Sequence, residues 1–265
     1  MPVDVPPPHR ISVIIPVLNE EQRIGQRLEE LGRMAGVAEV VVVDGGSGDR
    51  TAEITRGFSG VRLVSAARGR GSQMNAGARV ASGNVFLFLH ADVALPPDAA
   101  TWVGRMLADP AVVAGAFRTW TVADAGRSWA APLLHLADLR SRYTRLPYGD
   151  QALFVRRDAF DRVGGFPDQP LMEDFELSRR LRRVGRIATA PAAVRVSGRR
   201  FLSRPIRSAV LMRLFPLLYR LGVPPRVLAR LYGDPREQLD KVPLAPRDLG
   251  GRAGKRGSAF GAYRC

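Results

Sequence analysis

Residues 40–49 read VVVVDGGSGD, and this stretch decides how the chain folds. Four consecutive valines predict a strand buried on both faces, because an unbroken β-branched run suits the interior of a parallel sheet. Asp44 and the glycines behind it are typical of a strand that ends in a tight loop. Asp49 is placed to cap a following helix over residues 49–58. A strand, a loop and a helix therefore follow one another directly.

The same alternation continues on both sides of this stretch. Residues 11–17 predict a buried strand, and residues 20–35 carry Ile24, Leu28 and Leu31 at helical spacing. Since the order is β-α-β-α-β-α-β, the sequence predicts an α/β fold with a mostly parallel central sheet and helices on both faces. The remaining elements of this pattern are a strand at residues 61–65, a helix at 71–81 and a strand at 85–89.

The second half of the chain has a less regular pattern. Residues 211–231 form an amphipathic stretch that Pro216, Pro224 and Pro225 are expected to interrupt. From residue 243 the composition shifts to Gly, Arg, Lys and Pro, which predicts a disordered basic tail. The other predicted elements are a helix at 99–108, a strand at 112–120, an apolar helix at 129–142, a short strand at 151–155 and an arginine-rich helix at 173–184.

The composition limits the kind of protein this is. A total of 40 Lys and Arg against 25 Asp and Glu gives a net charge of +15. Such a surface attracts nucleotides, nucleic acid or anionic lipid headgroups, although it can also be an ordinary arginine-rich solvated surface. Cys265 is the single cysteine, so no disulfide can form within the chain and a reducing, cytoplasmic setting is expected. The N-terminus lacks a signal-peptide core and no run of about 18 apolar residues occurs, so no membrane span is expected.

Polar side chains follow the predicted parallel strands at the points where these strands end. In open sheets of this type, ligands bind at the carboxyl ends of the strands. We therefore expect these side chains to converge on one crevice. They are Asn19 and Glu20, Asp44, Arg68 and Arg70, and His90 and Asp92.

Two of these groups can contact a nucleotide. The Asp44 carboxylate can accept hydrogen bonds from a base or ribose while Gly45 lets the backbone approach, or it can close the turn. Arg68 and Arg70 lie at a helix N-terminus, where guanidinium and backbone N–H groups bind phosphate. This stretch matches neither a Walker loop nor a G-x-G-x-x-G fingerprint, and an ordinary surface loop would also explain it.

Asp92 follows an apolar strand and is a candidate metal ligand. Mg²⁺ and Mn²⁺ prefer oxygen ligands and are often bound through one carboxylate together with substrate phosphates. His90 can be a second ligand or a phosphate contact, or it can be a packing residue. The sequence therefore predicts a divalent-metal site, for Mn²⁺ or Mg²⁺, that depends on Asp92.

Glu173 and Asp174 open the arginine-rich helix. Acidic residues in a first turn often only complement the helix dipole, but the loop ahead of them, residues 164–168, can reach back to the crevice. A carboxylate there can act as the general base for an acceptor hydroxyl. A polar group ahead of the strand at 151–155 can contact that acceptor, with its aromatic ring stacked on a sugar. Its members are Tyr148, Gly149, Asp150 and Gln151.

Five runs in this chain resemble motifs of the family 2 glycosyltransferases, which have the GT-A fold. In order they are residues 14–20 (IIPVLNE), 42–47 (VVDGGS), 75–77 (NAG), 88–92 (FLHAD) and 173–177 (EDFEL). Each run is unspecific alone, but their order and spacing cover residues 11 to about 200. Three further runs are similar to those of the bacterial radical-SAM/selenodomain-associated transferases. They are residues 68–73 (RGRGSQ), 90–92 (HAD) and 148–151 (YGDQ).

The resemblance implies an inverting transfer of a sugar from a nucleotide-diphosphate donor, UDP-linked by family habit, to a hydroxyl of a small or lipid-linked acceptor. It implies that Asp92 matches the last carboxylate of the family's D-x-D motif, with His90 in place of the first. Asp174 matches the catalytic base, with Glu173 beside it. The metal, together with an arginine at 68 or 70, would stabilise the departing diphosphate. The implied donor-binding residues are Pro16, Val17, Asn19, Glu20, Asp44, Gly45, Arg68, Arg70, Gln73, Asn75, His90, Ala91 and Asp92.

The resemblance also divides the chain. The predicted segments are a lead-in (1–10), a Rossmann-like GT-A domain (11–200) with a nucleotide-binding half (11–92) and an acceptor half (93–200), a helical extension (201–242) and the tail (243–265).

Alternatives stay open at this point. A nucleotidyltransferase would share the sheet and the metal–phosphate chemistry. A nucleic-acid-binding protein is disfavoured, because Asp44 and Asp92 would repel a phosphate backbone in the crevice, so no nucleic acid is expected as a partner. Residues 201–231 can lie on the anionic inner face of a membrane or pack as an ordinary helix pair.

Overall fold

The computed structural model describes residues 9–122, 138, 146–198 and 205–233. Apart from Gly233, these residues belong to one compact unit that extends to Tyr232. Except for Asp138, the helix predicted at 129–142 lies outside the described residues, as do the tail at 243–265 and most of the lead-in. The divisions predicted within residues 11–242 stay predictions.

Within the described residues, one eight-stranded sheet forms the centre of the fold. Its spatial order is β3-β2-β1-β4-β7-β6-β8-β5, and the first four strands of that order are parallel, as the alternating pattern predicts. Beyond β4 the sheet is mixed, because β7 runs antiparallel to both of its neighbours while β6 and β8 are parallel. The strands are β1 (Ile11–Val17), β2 (Val37–Asp44), β3 (Val61–Ser65), β4 (Val85–Phe88), β5 (Val93–Ala94), β6 (Val112–Val122), β7 (Phe154–Arg156) and β8 (Arg186–Ser197).

Helices cover both faces of this sheet, as predicted. Alternate residues of β1 point to opposite sides, so that Val13 packs in one hydrophobic cluster and Ile14 in another. The first cluster includes residues of α1 and α4, and the second includes residues of α3, α5 and α6. The helices are α1 (Ile24–Gly32), α2 (Thr51–Arg56), α3 (Arg70–Val80), α4 (Ala99–Leu107), α5 (Arg157–Arg162), α6 (Glu173–Leu181), α7 (Pro205–Arg220) and α8 (Pro225–Tyr232).

Two predictions about the helices were wrong. The first helix begins at Ile24 instead of residue 20, because the backbone oxygen of Glu20 accepts from the N–H of Arg23 and of Ile24 and forms a turn ahead of the helix. In α7, Pro216 lies inside a continuous helix and does not interrupt it. The neighbouring Phe215 is buried in a tertiary cluster, and such packing offsets the hydrogen bond that proline cannot make.

The long strand β8 is absent from the predicted pattern. Its Pro191 argues against a central strand, since proline cannot donate to the ladder. The sheet accommodates this residue at a register shift, where Phe117 pairs with Ala190 and Arg118 with Ala193. At its far end, β8 donates the Ser197 N–H to the backbone oxygen of Asp92 (3.1 Å), so this strand holds the candidate metal motif in place.

Candidate active site

The loops after β1 and β2 form one rim at the carboxyl edge of the sheet. The Asn19 N–H donates to Ser47 Oγ (2.9 Å), and Asn19 Oδ1 accepts from the Gly48 N–H (2.8 Å). The Glu20 N–H donates to Thr51 Oγ1 (2.8 Å) in the same way. These contacts bring together two of the polar groups that the strand order predicts to converge.

Asp44 is buried in this rim and closes its turn. Its Oδ1 accepts from the Ser47 N–H (3.1 Å) and from Ser47 Oγ (2.5 Å). These contacts fit the turn-closing interpretation, but a carboxylate has further acceptor sites, so contact with a base or ribose is still open to it. Asp49 accepts from the N–H of Thr51, the first residue of α2 (3.0 Å), but the N-cap residue of this helix is Arg50, so the cap predicted at Asp49 is one residue too early.

Two amide side chains of α3, predicted to contact a donor, make their described bonds within the protein. Gln73 is 4% exposed, and its Nε2 donates to the backbone oxygens of Val17 and Val43 (2.8 Å each). Both N–H bonds of this amide are therefore used to hold the ends of β1 and β2. Asn75 donates to the Phe166 oxygen and accepts from the Phe166 N–H (2.9 Å each).

The Asn75 contact fixes the loop that leads to α6. Phe166 lies in the glycine-rich stretch 164–168, and its ring packs edge-on against Phe88 at 4.8 Å between centroids. Phe88 is the last residue of β4. Residues 164–168 are therefore held to α3 and to the end of β4 through Asn75 and Phe88, and their reach to the ligand crevice stays a prediction.

Arg70 meets Glu173 in a buried ion pair, with 2.6 Å between Nε and Oε1. The Glu173 side chain is 2% exposed and the Arg70 side chain 25%. Burial acts to lower the pKa of the Arg70 guanidinium, but Glu173 and then Asp174 offset that effect, so the pKa of Arg70 lies above its ordinary value. Arg70 is therefore paired with Glu173 inside the protein. Arg68, which precedes the same helix, is exposed to solvent.

Asp174 lies at the start of α6 with its carboxylate held by backbone groups. Its Oδ1 accepts from the Phe175 N–H (2.7 Å), and its Oδ2 accepts a short hydrogen bond from the Gly149 N–H. A Cβ at Gly149 would lie 2.6 Å from His90 Nε2 and 3.1 Å from Asp174 Oδ2, so any larger residue there would displace the His90 ring. The structure therefore brings His90, Gly149 and Asp174 together.

Backbone strain is concentrated in the same loops. In the described residues, the non-glycine positions with positive φ are Asn19 (54°), Ala152 (48°) and Met172 (65°). Asn19 follows β1, Ala152 follows the 3-10 turn at Gly149–Gln151, and Met172 precedes Glu173. Such conformations persist only where surrounding contacts enforce them, and they are frequent at functional sites. The sequence carries no local signal for Ala152 or Met172, since neither residue type favours this conformation.

Asp92 is the acidic residue at the end of the FLHAD stretch and is partly exposed. Its charge acts on the nearby Arg27 guanidinium. Burial lowers the pKa of Arg27, and the negative charges of Glu30 and Asp92 partly offset this effect. Within the part of the chain that the structure describes, no group of three His, Cys, Asp or Glu residues could hold a metal ion. A single carboxylate such as that of Asp92 can bind Mg²⁺ or Mn²⁺ together with substrate phosphates.

The predicted acceptor group is partly structural. Gln151 is 3% exposed; its Oε1 accepts from the Tyr148 N–H (3.0 Å) and its Nε2 donates to the Phe117 oxygen (3.1 Å). The Tyr148 ring lies 6.0 Å from the Phe175 ring, beside Asp174. Gly149 and Asp150 belong to the 3-10 turn Gly149–Gln151 and are partly exposed.

Glu176 is a site-adjacent residue that sequence reasoning missed. Its carboxylate accepts from Arg179 Nε (2.8 Å), Arg180 Nε (3.0 Å) and the hydroxyl of Tyr219 on α7 (3.2 Å). From the sequence, one acid and two arginines at i, i+3 and i+4 of a helix indicate an exposed surface pattern. The tertiary partner Tyr219 is what makes the residue a link between α6 and α7.

Glu176→Gln is expected to lower the free energy of unfolding by about 1 kcal/mol at neutral pH, discounted because both arginines are partly exposed. Hydrogen bonds from Arg179, and then from Arg180, hold the pKa of Glu176 below its ordinary value despite burial. A depressed pKa in the folded state stabilises above the unfolded value, so the difference between the proteins shrinks as pH falls below about 4.3. Denaturant titrations at several pH values measure it, with the exposed Glu29→Gln as control. A difference that grew on acidification would contradict the assignment.

Solved structures share this architecture. A mannosyltransferase from Pyrobaculum calidifontis, in complex with GDP-Man and Mn²⁺, matches with a TM-score of 0.64 at 24% identity, over 85% of this chain and 68% of that one. TarS of S. aureus in complex with UDP-GlcNAc matches with a TM-score of 0.57 at 20% identity, over 84% and 70%. At these identities the likeness establishes the fold, and the predicted GT-A fold is confirmed.

Curated proteins match over part of their length. YdaM of Bacillus subtilis, a probable glycosyltransferase, is 28% identical over 212 residues, which are 70% of this chain and 50% of that protein. An undecaprenyl-phosphate 4-deoxy-4-formamido-L-arabinose transferase of Pseudomonas aeruginosa is 34% identical over 145 residues, or 49% and 42%. The chain thus spans about half the length of the curated relatives it matches.

The family profile described as glycosyl transferase family 2 matches residues 12–164. That range runs from β1 through α5 and contains Asp44, Asp92 and Gly149, while Asp174 lies just beyond it. Because the match covers more than half of the 265 residues, the protein belongs to glycosyl transferase family 2.

Proposed function

We propose that this protein transfers a sugar from a nucleotide-diphosphate sugar to an acceptor hydroxyl, with inversion at the anomeric carbon. The observation that carries the proposal is the meeting of His90, Gly149 and Asp174. It holds a carboxylate beside the stretch 88–92, which the family resemblance assigns to the donor diphosphate. Donor and general base would then lie within reach of one reacting carbon.

Asp174 is the proposed general base. The acceptor hydroxyl gives its proton to the Asp174 carboxylate as its oxygen attacks the anomeric carbon. The bond from that carbon to the phosphate oxygen breaks on the opposite face, so the configuration inverts and the nucleoside diphosphate leaves with the electron pair. Glu173 serves this step indirectly, because it is paired with Arg70 and flanks Asp174 in sequence.

The donor side of the proposed site uses the rim after β1 and β2. Arg68 and the free N–H groups at the start of α3 supply positive charge for the diphosphate. Gln73 and Asn75 hold this part of the site in place: Gln73 donates to the ends of β1 and β2, and Asn75 donates to Phe166. The residues assigned to the base, the ribose and the sugar phosphates are Pro16, Val17, Asn19, Glu20, Asp44, Gly45, His90, Ala91 and Asp92.

A divalent cation, Mn²⁺ or Mg²⁺, is the proposed cofactor, with Asp92 as its protein ligand. When bound, such an ion neutralises charge on the departing diphosphate. The solved relatives support this, since the P. calidifontis enzyme holds Mn²⁺ with GDP-Man and the Mycobacterium tuberculosis glucosyl-3-phosphoglycerate synthase holds Mn²⁺ with UDP. These relatives differ in base, so uridine is proposed from the resemblance alone.

The acceptor is proposed to be a hydroxyl of a small or lipid-linked molecule. A lipid-linked acceptor finds support in the name of the P. aeruginosa relative, an undecaprenyl-phosphate transferase. Placement among the radical-SAM/selenodomain-associated transferases stays a prediction.

A panel of nucleotide sugars with Mn²⁺ or Mg²⁺, scored by thermal shift and donor hydrolysis, tests the proposal. The correct donor at a hundredfold excess over its Kd should stabilise the fold by about 2.7 kcal/mol. Stabilisation and turnover of nucleoside triphosphates, without any response to nucleotide sugars, would point to a nucleotidyltransferase and overturn the proposal.

Asp92→Asn is expected to weaken donor binding in Mn²⁺ on the order of a hundredfold, because it removes the proposed protein ligand of the ion. His90→Ala should weaken it less than tenfold, since the His90 ring lies against Gly149 and Asp174. Calorimetric titration with and without a chelator measures both, and the exposed Asp158→Asn serves as control. Equal effects at Asp92 and His90 would show that the two residues share the ligation.

A further inference from the structure

Helix α7 has two apolar faces, although packing on the domain uses one. Leu211, Phe215 and Leu218 form the packed face, in a cluster with Met172 and Phe175 at the start of α6. An amphipathic helix on a protein surface normally turns a single apolar stripe inward. The second apolar face of α7 therefore needs another explanation.

The second face is a continuous exposed stripe. Val210, Leu214, Leu217 and Leu221 follow one another at helical spacing and are 48%, 42%, 53% and 72% exposed. Scattered exposed leucines are ordinary, but an aligned row of them marks a surface that contacts a membrane or a partner.

Helix α8 adds to this surface. Leu228 and Ala229 are buried, whereas Val227, Leu231 and Tyr232 are 42%, 50% and 44% exposed. We call the exposed apolar residues of α7 and α8, together with their neighbouring arginines, the docking face. Its members are Val210, Arg213, Leu214, Leu217, Arg220, Leu221, Arg226, Val227, Arg230, Leu231 and Tyr232.

The charge of the docking face has one sign. Arg213 and Arg220 border the α7 stripe, and Arg226 and Arg230 alternate with the exposed residues of α8; all four are exposed. No Asp or Glu occurs anywhere in residues 205–233. An apolar stripe edged only by cations matches a surface with an apolar interior and an anionic boundary.

We propose that the docking face binds the surface of an anionic lipid membrane, with the leucine stripe in the acyl boundary and the arginines at the lipid phosphates. A second copy of the chain fits less well, because a symmetric contact would bring arginines against arginines. Nucleic acid offers no apolar layer to the leucines. In the described ranges, no helix is both long and apolar enough to cross a bilayer.

The docking face is joined directly to the helix that carries Asp174. Tyr219 donates to Glu176 (3.2 Å), and the Arg220 guanidinium lies over the Phe175 ring at 5.6 Å. Docking would therefore hold α6 close to the membrane surface. The docking proposal stands on exposure and charge alone, and it does not depend on the transferase proposal.

Vesicle flotation of the full chain tests docking. Wild-type protein should float with vesicles of phosphatidylcholine and phosphatidylglycerol at low salt, and much less with phosphatidylcholine alone or at high salt. Arg213→Gln/Arg226→Gln/Arg230→Gln should lower the partition coefficient roughly a hundredfold, about fivefold for each arginine. Leu214→Gln/Leu217→Gln/Leu221→Gln should lower it at least about tenfold, even on strongly anionic vesicles.

A charge-matched control separates docking from general attraction. Arg56→Gln/Arg79→Gln/Arg182→Gln removes the same charge from exposed positions on α2, α3 and after α6. Its partition coefficient should stay within about threefold of wild type. Circular dichroism should be unchanged in all variants, since the replaced side chains are exposed. Equal losses in the control, equal binding to neutral vesicles, or a dimer in solution that only the leucine variant abolishes would each overturn the proposal.

Discussion

Asp174→Asn is expected to lower the rate of sugar transfer on the order of a thousandfold while donor binding stays near the wild-type value. General-base catalysis contributes about 10²–10⁴ in rate, and asparagine cannot take the acceptor proton. The substitution keeps the shape of the side chain, although its single amide oxygen can replace only one of the two carboxylate oxygens that accept from the Phe175 and Gly149 N–H groups. Circular dichroism therefore accompanies the kinetics and checks that the fold is retained. The loss should therefore appear in kcat.

Steady-state kinetics with the donor found in the panel, together with calorimetric titration of that donor, measure the two quantities separately. Asp168→Asn is the matched control, because Asp168 is an exposed acid in the loop ahead of α6. A transfer rate within tenfold of wild type in Asp174→Asn would remove this residue from the role of base. An equal loss in both variants would point to a general effect of charge in the loop.

Arg70→Met is expected to lower the free energy of unfolding by about 3–5 kcal/mol, because it removes the Arg70 cation from beside the buried Glu173 carboxylate. Methionine retains most of the aliphatic length of arginine, so the change in the free energy of unfolding comes mainly from the lost charge and not from lost volume. Arg70→Met/Glu173→Gln should recover most of that loss, since removing both charges of a buried pair costs far less than removing one. Arg70→Lys should be intermediate, as a single ammonium replaces a planar fork.

Urea unfolding measures these differences, and Arg68→Met is the control. Arg68 is exposed, two residues away, and its replacement should change the unfolding free energy by less than about 0.5 kcal/mol. Similar losses in Arg68→Met and Arg70→Met would contradict the buried-pair argument. So would a double variant that is as unstable as Arg70→Met alone.

The parallel half of the sheet was readable from the sequence, whereas most of the contacts at its edge were not. The valines of β2 and the apolar run of β1 specify buried strands through local pattern alone, and the strand ends then follow. The pairings of Gln73 with Val17 and Val43 join residues that are distant in the chain and leave no local trace. From the sequence, a polar residue at a strand or helix end indicates a ligand contact. Only the folded structure shows which of these residues use their hydrogen bonds within the protein, as Gln73 does.

The second half was harder to predict for a different reason. Strand β8 contains Pro191, and the rule that excludes proline from sheet interiors is correct on average. The register shift opposite Phe117 is a tertiary arrangement that no pattern in residues 186–197 announces. Met172 and Ala152 adopt left-handed conformations for the same kind of reason, because their neighbours in the fold enforce them.

Helix α3 has a consequence for exchanging parts between relatives. Its Gln73 reaches the ends of β1 and β2, its Asn75 holds Phe166, and its first residue pairs with Glu173. A chimera with its junction near residue 92 would take Arg70 and Asn75 from one parent and their partners from the other. In such a hybrid, the Asn75–Phe166 hydrogen bonds and the Arg70–Glu173 ion pair would join residues from different parents, and they could fail to form even when both parents were active. An exchange between relatives should therefore move α3 and residues 166–174 together, and not one half of the chain.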